Sequence, residues 1–180
     1  MLTDTRSHCA NCGSPYPDSA AGWPRTCPAC GLTTYRNPLP VAVCLLPVLA
    51  DEQDATPGLV AIRRTIPPAR GRLALPGGFV DWGESWEQAV VRELAEETGI
   101  DAQVADVRLA DALTDTEGGY LLLFGLLPPR PAAALPPSVA TDETEGHVIL
   151  REPAPLGFPL HDTVTRRWFA GGYARLFRES

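Results

Sequence analysis

The sequence lacks a long hydrophobic run, an excess of positive charge and an apolar leader. Its most apolar stretch, Val41 to Leu49, is nine residues long and contains Pro47, which is far short of the ~20 residues that a membrane span needs. Lys and Arg total 15 against 22 Asp and Glu, a net charge of −7, and this balance is unfavourable for general nucleic-acid or anionic membrane binding. The N-terminal MLTDTRSHCANCG has no apolar core typical of a targeting signal. We therefore expect a cytoplasmic protein without membrane or nucleic-acid partners.

The chain does have enough apolar sequence for one compact domain with a small appendage. It holds 180 residues, 44% of them apolar, which suits a single hydrophobic core. The stretches VAVCLLPV, GLVAIRR, AQVADVRLADAL, YLLLFGLLP and HVILREP favour strands. Residues 160–178 show helical spacing, which Gly171-Gly172 weakens. Strands mixed with two helices predict an α/β or α+β sheet covered on both faces.

Four of the five cysteines form two CxxC pairs with fourteen residues between them. Four thiolates at such spacing can converge on one ion, and zinc favours tetrahedral sulfur ligation. The segment around them is too short and polar to fold around its own apolar core, so it needs a cross-link such as a bound metal ion. A closed four-cysteine site is structural rather than catalytic; a redox CxxC and ligation by His8 are the alternatives, and Cys44 is expected in the core. The expected zinc ligands are Cys9, Cys12, Cys27 and Cys30.

Another helix is predicted over residues 86–98, before the helical pattern of residues 160–178. Ser85 is a favourable N-cap and Gln88 follows three residues later, which is the capping-box pattern. Gly99 follows the last turn and suits the left-handed position that ends a helix.

Three glutamates crowd one side of this helix. Glu93, Glu96 and Glu97 stand at i, i+3 and i+4, where like charges repel by a few tenths of a kcal/mol, and they lie beside the apolar arc rather than opposite it. Arg92 is the nearby basic residue, and the turn 75–78, LPGG, leaves backbone carbonyls open to close approach. Clustered carboxylates with a backbone carbonyl are what Mg²⁺ or Mn²⁺ prefers. A solvated acidic face is the alternative.

The same residues complete a family motif. Gly78, five residues, Glu84, seven residues and then REL-x-EE-x-GI match the Nudix box GX5EX7REUXEEXGU at every fixed position over 23 residues. The chain resembles a Nudix domain, and the cysteine segment followed by TTYRNP is similar to the zinc-ribbon subgroup, which includes NADH, FAD and ADP-ribose diphosphatases. The resemblance implies a Nudix α/β/α sandwich with a mixed sheet at residues 37–180, preceded by a zinc ribbon at residues 1–36.

The resemblance also implies roles for individual residues. Bound divalent cations would neutralise a diphosphate, polarise phosphorus and activate water, and this explains how an acidic protein takes an anionic substrate. Arg92 and Glu84 would hold the box in register. The catalytic glutamates and Mg²⁺ or Mn²⁺ ligands so implied are Glu93, Glu96 and Glu97, with the Gly78 carbonyl as a further magnesium ligand.

Many family members add a glutamate from a loop that is distant in sequence, as a ligand or general base. Glu145 matches best by its position before the strand HVILREP, with Glu143 as the second candidate and a solvated loop acid as the alternative for either. An aromatic or arginine side chain near the box is expected to contact substrate. The candidates are Trp82, Phe79, Tyr120 and Arg63.

The expected activity is that of a Mg²⁺-dependent Nudix diphosphatase, a hydrolase of phosphorus-containing anhydrides. It would cleave the diphosphate bridge of a nucleoside diphosphate linked to another moiety, with FAD, ADP-ribose and NAD(H) as candidates. The SQPWPFP-like motif of NADH diphosphatases is replaced here by ADALTDTEGGY. The alternatives are a nucleoside-triphosphate or capped-RNA hydrolase and a non-catalytic ADP-ribose sensor. The expected partner is a small nucleotide, and the ribbon is expected to be structural or to support a homodimer.

Overall fold

The chain divides into two compact units, residues 1–38 and 39–180. The computed structural model describes residues 7–17, 22–50 and 57–177. The division lies two residues beyond the boundary expected from the sequence. No helix within the described residues is long and apolar enough to cross a bilayer.

The N-terminal unit consists of two cysteine-containing turns and a two-stranded ribbon. In each turn the carbonyl of the first cysteine, Cys9 or Cys27, accepts the N–H of the glycine four residues later at 2.9 Å. Strands β1 (Arg25–Thr26) and β2 (Thr33–Thr34) pair antiparallel. Among the residues described in this unit, the buried apolar side chains are Cys9 and Cys27. An apolar core of this size is too small to stabilise the unit by itself.

The second unit combines two sheets with two helices. Its strands are β3 (Leu39–Leu45), β4 (Pro47–Leu49), β5 (Gly58–Arg64), β6 (Leu73–Ala74), β7 (Gly77–Phe79), β8 (Arg108–Thr114), β9 (Tyr120–Leu126), β10 (Arg130–Pro131) and β11 (Thr144–Leu150). Its helices are α1 (Trp86–Thr98) and α2 (Pro159–Phe169), with 3-10 turns at Val104–Asp106, Ala132–Ala134 and Ala174–Phe177.

Both sheets contain parallel and antiparallel neighbours. One has the strand order β7-β3-β9-β8, in which β3 and β9 are parallel and the other pairs antiparallel. The other has the order β10-β4-β5-β11, with β6 also paired to β5. The expected mixed sheet with two helices is therefore confirmed.

Alternate residues of β3 face two different hydrophobic clusters. Val43 and Leu45 belong to a cluster that includes Trp168 of α2, whereas Ala42 and Cys44 belong to one that includes α1. All four of these β3 residues are fully buried, and burying a side chain such as Val or Leu stabilises the fold by about 1.5–3 kcal/mol. Cys44 is thus a core residue, as expected.

Helix α2 is shorter than its sequence pattern predicted. The apolar spacing indicated a helix over residues 160–178, but α2 ends at Phe169. Gly171 has a φ of 76°, and a left-handed residue ends a helix because it cannot continue the right-handed path. The chain then turns and forms a separate 3-10 segment at Ala174–Phe177.

Candidate metal centres

Helix α1, which carries the acidic cluster, is fixed at both ends by local hydrogen bonds. The Ser85 hydroxyl accepts the N–H of Gln88 at 3.3 Å, and the Gln88 side chain accepts the N–H of Ser85 at 2.7 Å. At the other end, Gly99 has a φ of 71° and donates its N–H to the carbonyl of Ala95 at 2.8 Å. The predicted helix and both of its caps are confirmed.

Arg92 joins the helix to the loop that precedes it. Its guanidinium donates to both carboxylate oxygens of Glu84, at 2.7 and 3.1 Å, and to the carbonyl of Phe79 at 3.0 Å. The Arg92 Nη1 also donates to Glu93 at 2.8 Å and to Glu96 at 3.0 Å. These bonds lower the pKa of Glu84 through the arginine and raise the pKa of Arg92 above its usual range. A bidentate pair of this kind holds the loop and the helix in one register.

Glu97 is the most buried carboxylate of the cluster, with 4% of its surface exposed. One of its oxygens, Oε2, accepts the N–H of Gly77 at 2.8 Å. Burial raises the pKa of Glu97 to about 8, although the Gly77 N–H acts to lower it. Repulsion from Glu93 and Glu143 adds to the rise, and Arg64 opposes it. Within the described residues, the positive charge near Glu97 is therefore too small to stabilise its ionised form. A bound cation would supply that charge and lower the pKa.

Glu93 lies directly against the glycine turn. Its side chain is 14% exposed, and burial raises its pKa, against the effect of the Arg92 guanidinium. A Cβ at Gly78 would overlap the Glu93 carboxylate, so residue 78 must be glycine for the two groups to approach each other. The structure thus brings a carboxylate against the backbone of the glycine turn.

The box glutamates are near one another but their oxygens do not meet at one point. Arg92 holds Glu93 and Glu96, while Glu97 turns towards Gly77. Within the described residues, a set of three or more possible metal ligands with all ligand atoms within 4.8 Å of one another is found at the four cysteines. The box glutamates, which are among the described residues, do not form such a set. The donor chemistry of the glutamates nevertheless fits Mg²⁺ or Mn²⁺, which take hard carboxylate and carbonyl oxygens.

The two candidate distal acids have different surroundings. A carboxylate oxygen of Glu145 lies 3.6 Å from Nε of Arg63, and the two side chains are 61% and 42% exposed, respectively. Glu143 instead raises the pKa of Glu93 and of Glu97 by charge repulsion. Between the two acids, Thr144 is fully buried and donates its hydroxyl to the Glu97 carbonyl at 2.9 Å. Glu143 thus adds negative charge near the box glutamates, whereas Glu145 pairs with Arg63.

The candidate substrate-binding aromatic residues are all on the surface. The Phe79 and Tyr120 rings lie 6.0 Å apart and are tilted by 44°, and both residues are about half-exposed. Trp82 is fully exposed in the loop between β7 and α1. Phe124, by contrast, is fully buried in the core. Phe79 is connected to the acidic cluster through its carbonyl, which binds Arg92.

The four paired cysteines form a compact sulfur cluster in the N-terminal unit. The Sγ atoms of Cys9 and Cys30 are 3.8 Å apart and those of Cys12 and Cys27 are 3.6 Å apart, and none of these residues forms a disulfide. Sulfurs placed tetrahedrally at about 2.3 Å from a zinc ion would be about 3.8 Å from each other. The cluster is therefore compatible with a zinc ribbon.

The comparison with known proteins agrees with this geometry. The NUDIX domain family model matches residues 38–150, which include the glycine turn, α1 and the distal acids. The chain belongs to the NUDIX family. It is 28% identical over 161 residues to the mitochondrial NAD(P)H pyrophosphatase NUDT13 of Homo sapiens, covering 89% of this chain and 40% of that protein.

Two other similarities concern proteins from microorganisms. An ADP-ribose pyrophosphatase of Methanocaldococcus jannaschii is 55% identical over 42 residues, which are 23% of this chain and 25% of that protein. The crystal structure of a NUDIX hydrolase from Nitrosomonas europaea superimposes with a TM-score of 0.60 at 20% identity, covering 92% of this chain and 91% of that one. The match thus spans 40% or less of the length of these two curated relatives.

Two residues outside the NUDIX box act near it, and sequence reasoning missed one of them, His161. Arg64 acts electrostatically on both Glu97 and His161, and its guanidinium lies 5.5 Å from the Phe158 ring centre. His161 is buried in α2 and binds the backbone of the chain just before the glycine turn. Neither residue belongs to a short sequence motif. Each comes near the box only because its own element, β5 or α2, packs there in the fold.

Proposed function

We propose that this chain is a divalent-cation-dependent hydrolase that cleaves the diphosphate bridge of a nucleoside diphosphate linked to another moiety. The observation that carries the proposal is the buried Glu97 carboxylate of α1, which accepts a hydrogen bond from the Gly77 N–H. Glu97 belongs to a NUDIX box in which every fixed position is present. The names of the two curated relatives, an NAD(P)H pyrophosphatase and an ADP-ribose pyrophosphatase, support this substrate class. A complete box also favours an enzyme over a non-catalytic sensor.

The cation would be held by the carboxylates of the box and by the backbone of the glycine turn. When bound, a divalent cation supplies positive charge that offsets the diphosphate and Lewis acidity towards phosphorus. Arg92 keeps Glu84 and the Phe79 carbonyl in place while it also bonds two of the box glutamates. The residues proposed as ligands are Glu93, Glu96, Glu97 and Gly78.

The attacking water needs a group that accepts its proton. Glu143 is the favoured candidate for this role, since its charge acts on Glu93 and Glu97 whereas Glu145 pairs with Arg63. We therefore assign the base or distal ligand to the Glu143 carboxylate. Glu145 is left as the second candidate, which reverses the order that the sequence suggested.

The half of the substrate beyond the diphosphate would meet the exposed aromatic side chains. Phe79 and Tyr120 form an exposed pair of rings connected to the box through the Phe79 carbonyl, and aromatic surfaces of this kind stack on planar bases. Trp82 and Arg63 are further candidates at the rim. FAD, ADP-ribose and NAD(H) each carry an adenine and a diphosphate that would suit this arrangement.

The cysteine cluster is proposed to bind one structural Zn²⁺ ion. The backbone N–H groups around the first turn lower the pKa of Cys9, and hydrogen bonds from Ser14 lower that of Cys12 to about 6. For these two cysteines the effects favour the thiolates that zinc requires, whereas burial and the neighbouring Cys12 and Cys30 thiols raise the pKa of Cys27 to about 11. The cytoplasmic location and the homodimer expected from the sequence stay predictions.

A substrate panel tests the proposed activity. Zinc-loaded protein with Mg²⁺ is incubated with FAD, NADH, NAD⁺, ADP-ribose, nucleotide sugars, nucleoside triphosphates and capped RNA, and the products are identified by mass spectrometry. The proposal predicts that a diphosphate-bridged substrate yields two phosphorylated halves. Cleavage of triphosphates or capped RNA alone would support the other hydrolases, and tight binding of ADP-ribose without any turnover would support a sensor.

A further inference from the structure

His161 is a buried histidine that faces the chain leading into the glycine turn. It is 5% exposed, and its Nδ1 accepts the backbone N–H of Leu75 at 3.1 Å. Because Nδ1 is the acceptor, the neutral ring carries its proton on Nε2. The two residues are 86 positions apart in sequence, so this bond joins α2 to a segment that local sequence does not connect to it.

The surroundings of His161 keep it neutral and oriented. Its ring lies 5.9 Å from that of Phe124, edge to face, and 5.0 Å from that of Phe158. Burial, assisted by repulsion from Arg64, lowers its pKa to about 3. The imidazole therefore remains a hydrogen-bond acceptor for Leu75 throughout the neutral pH range.

A second bond, from the residues just before α2, reinforces the first. The N–H of Gly157 donates to the carbonyl of Leu73 at 2.7 Å, two residues before the bond from Leu75 to His161. The entry into α2 is itself tied down, because the Asp162 carboxylate accepts the N–H of Leu156 at 2.7 Å. Leu73 and Ala74 pair with β5 as strand β6, and the bonds with Gly157 and His161 tie the two ends of this short segment to α2 and the chain entering it.

The next two residues along the chain are held by other elements. The carbonyl of Pro76 accepts the N–H of Cys44, in β3, at 2.8 Å. The N–H of Gly77 then donates to Glu97, in α1, at 2.8 Å. Three successive residues are therefore fixed by three different elements, and the last of these bonds is the one that orients the buried carboxylate.

We propose that His161 is a positioning residue for the metal-binding glutamates, since it fixes Leu75 so that the Gly77 N–H stays aligned with Glu97. This inference rests on the proposed function, in which Glu97 is a metal ligand. Removing the acceptor would leave the buried Leu75 N–H without its partner and release the turn on one side. Loss of a group that orients a metal ligand typically weakens metal binding by about 10- to 100-fold.

The test measures Mg²⁺ binding to zinc-loaded protein by calorimetry, without substrate. His161→Asn keeps an acceptor at the δ position and should bind Mg²⁺ nearly as tightly as the wild type. His161→Leu removes the acceptor and should raise the Mg²⁺ dissociation constant by about 10- to 100-fold. His161→Gln moves the acceptor further along the side chain and should also weaken binding, which provides the comparison with asparagine if the leucine variant does not fold.

Val164→Ala serves as the matched control for lost stability. Val164 is fully buried on the same helix, so its truncation destabilises the core without removing the Leu75 bond. It should leave the Mg²⁺ dissociation constant nearly unchanged. Equal Mg²⁺ binding by the histidine variants and the wild type, or equal weakening by Val164→Ala, would overturn the positioning role alone, whereas a wild type that binds no Mg²⁺ would overturn the proposed function with it.

Discussion

Replacing Glu97 by glutamine should stabilise the Mg²⁺-free protein at alkaline pH. Glutamine keeps the shape of the side chain and an oxygen that can accept the Gly77 N–H, but it has no charge to bury. The folded wild type holds the Glu97 proton more tightly than the unfolded chain, because burial raises its pKa from 4.5 to about 8. The wild type therefore loses stability as the pH rises through this window, and the variant does not share that loss.

The size of the effect follows from the pKa difference. At about 1.36 kcal/mol for each pH unit, the rise from 4.5 to about 8 corresponds to a cost of up to about 5 kcal/mol once Glu97 is fully ionised. Urea unfolding of the zinc-loaded proteins in Mg²⁺-free buffer, followed by circular dichroism between pH 5 and 8.5, measures it. The stability advantage of the variant should be small at pH 5 and several kcal/mol at pH 8.5.

Glu96→Gln is the matched control on the same helix. The Glu96 side chain is 60% exposed and pairs with Arg92 at the surface, and such pairs contribute about 0–1 kcal/mol. Its difference from the wild type should therefore change little with pH. If the gap between Glu97→Gln and the wild type is also independent of pH, Glu97 does not carry a buried charge and the electrostatic reasoning is wrong.

Three further changes test separate parts of the site. Gly78→Ala should weaken Mg²⁺ binding in calorimetry, because the added methyl group overlaps the Glu93 carboxylate; unchanged binding would contradict the close approach. Glu143→Gln should reduce turnover more than Glu145→Gln does at saturating Mg²⁺, and the opposite order would return the distal role to Glu145. Cys30→Ser should lower the zinc content measured by mass spectrometry and destabilise the N-terminal unit, whereas a full zinc content would exclude Cys30 as a ligand.

The parts of the site that the sequence predicted are those formed by local interactions. Ser85, Gln88 and Gly99 lie within a few residues of the helix ends that they cap, so their types suffice to place α1. The phase of the glutamates on that helix follows directly from its period. The CxxC pairs are equally local, since each turn contains both of its cysteines.

The choice between the distal acids could not be made from the sequence because it depends on strand register. Thr144 pairs with Arg64 and His147 with Ile62, so three steps along β11 match two along β5. This β-bulge adds a residue between Thr144 and His147, so the strand alternation cannot be counted through it to place Glu145. Its position just before the strand HVILREP favoured Glu145, whereas the charge effect on Glu93 and Glu97 comes from Glu143.

The role of His161 was also beyond the sequence. Its bond to Leu75 spans 86 residues and exists only because α2 packs against the segment that precedes the glycine turn. The early end of α2 at Phe169 has a simpler cause, since the apolar spacing continued past a glycine that the backbone uses to turn. Tertiary packing determines the partner of His161, and backbone conformation determines where α2 ends. Residue spacing alone could predict neither.

The most direct test of the account is the Mg²⁺ dependence of bridge cleavage by the wild type and by Glu97→Gln, using the adenine-containing substrate that the panel selects and AMP release as the readout. The account predicts that the wild type releases AMP and the other phosphorylated half in proportion to Mg²⁺ occupancy, and that the folded variant loses most of this rate. AMP release that needs no divalent cation, or that continues undiminished in Glu97→Gln, would contradict it.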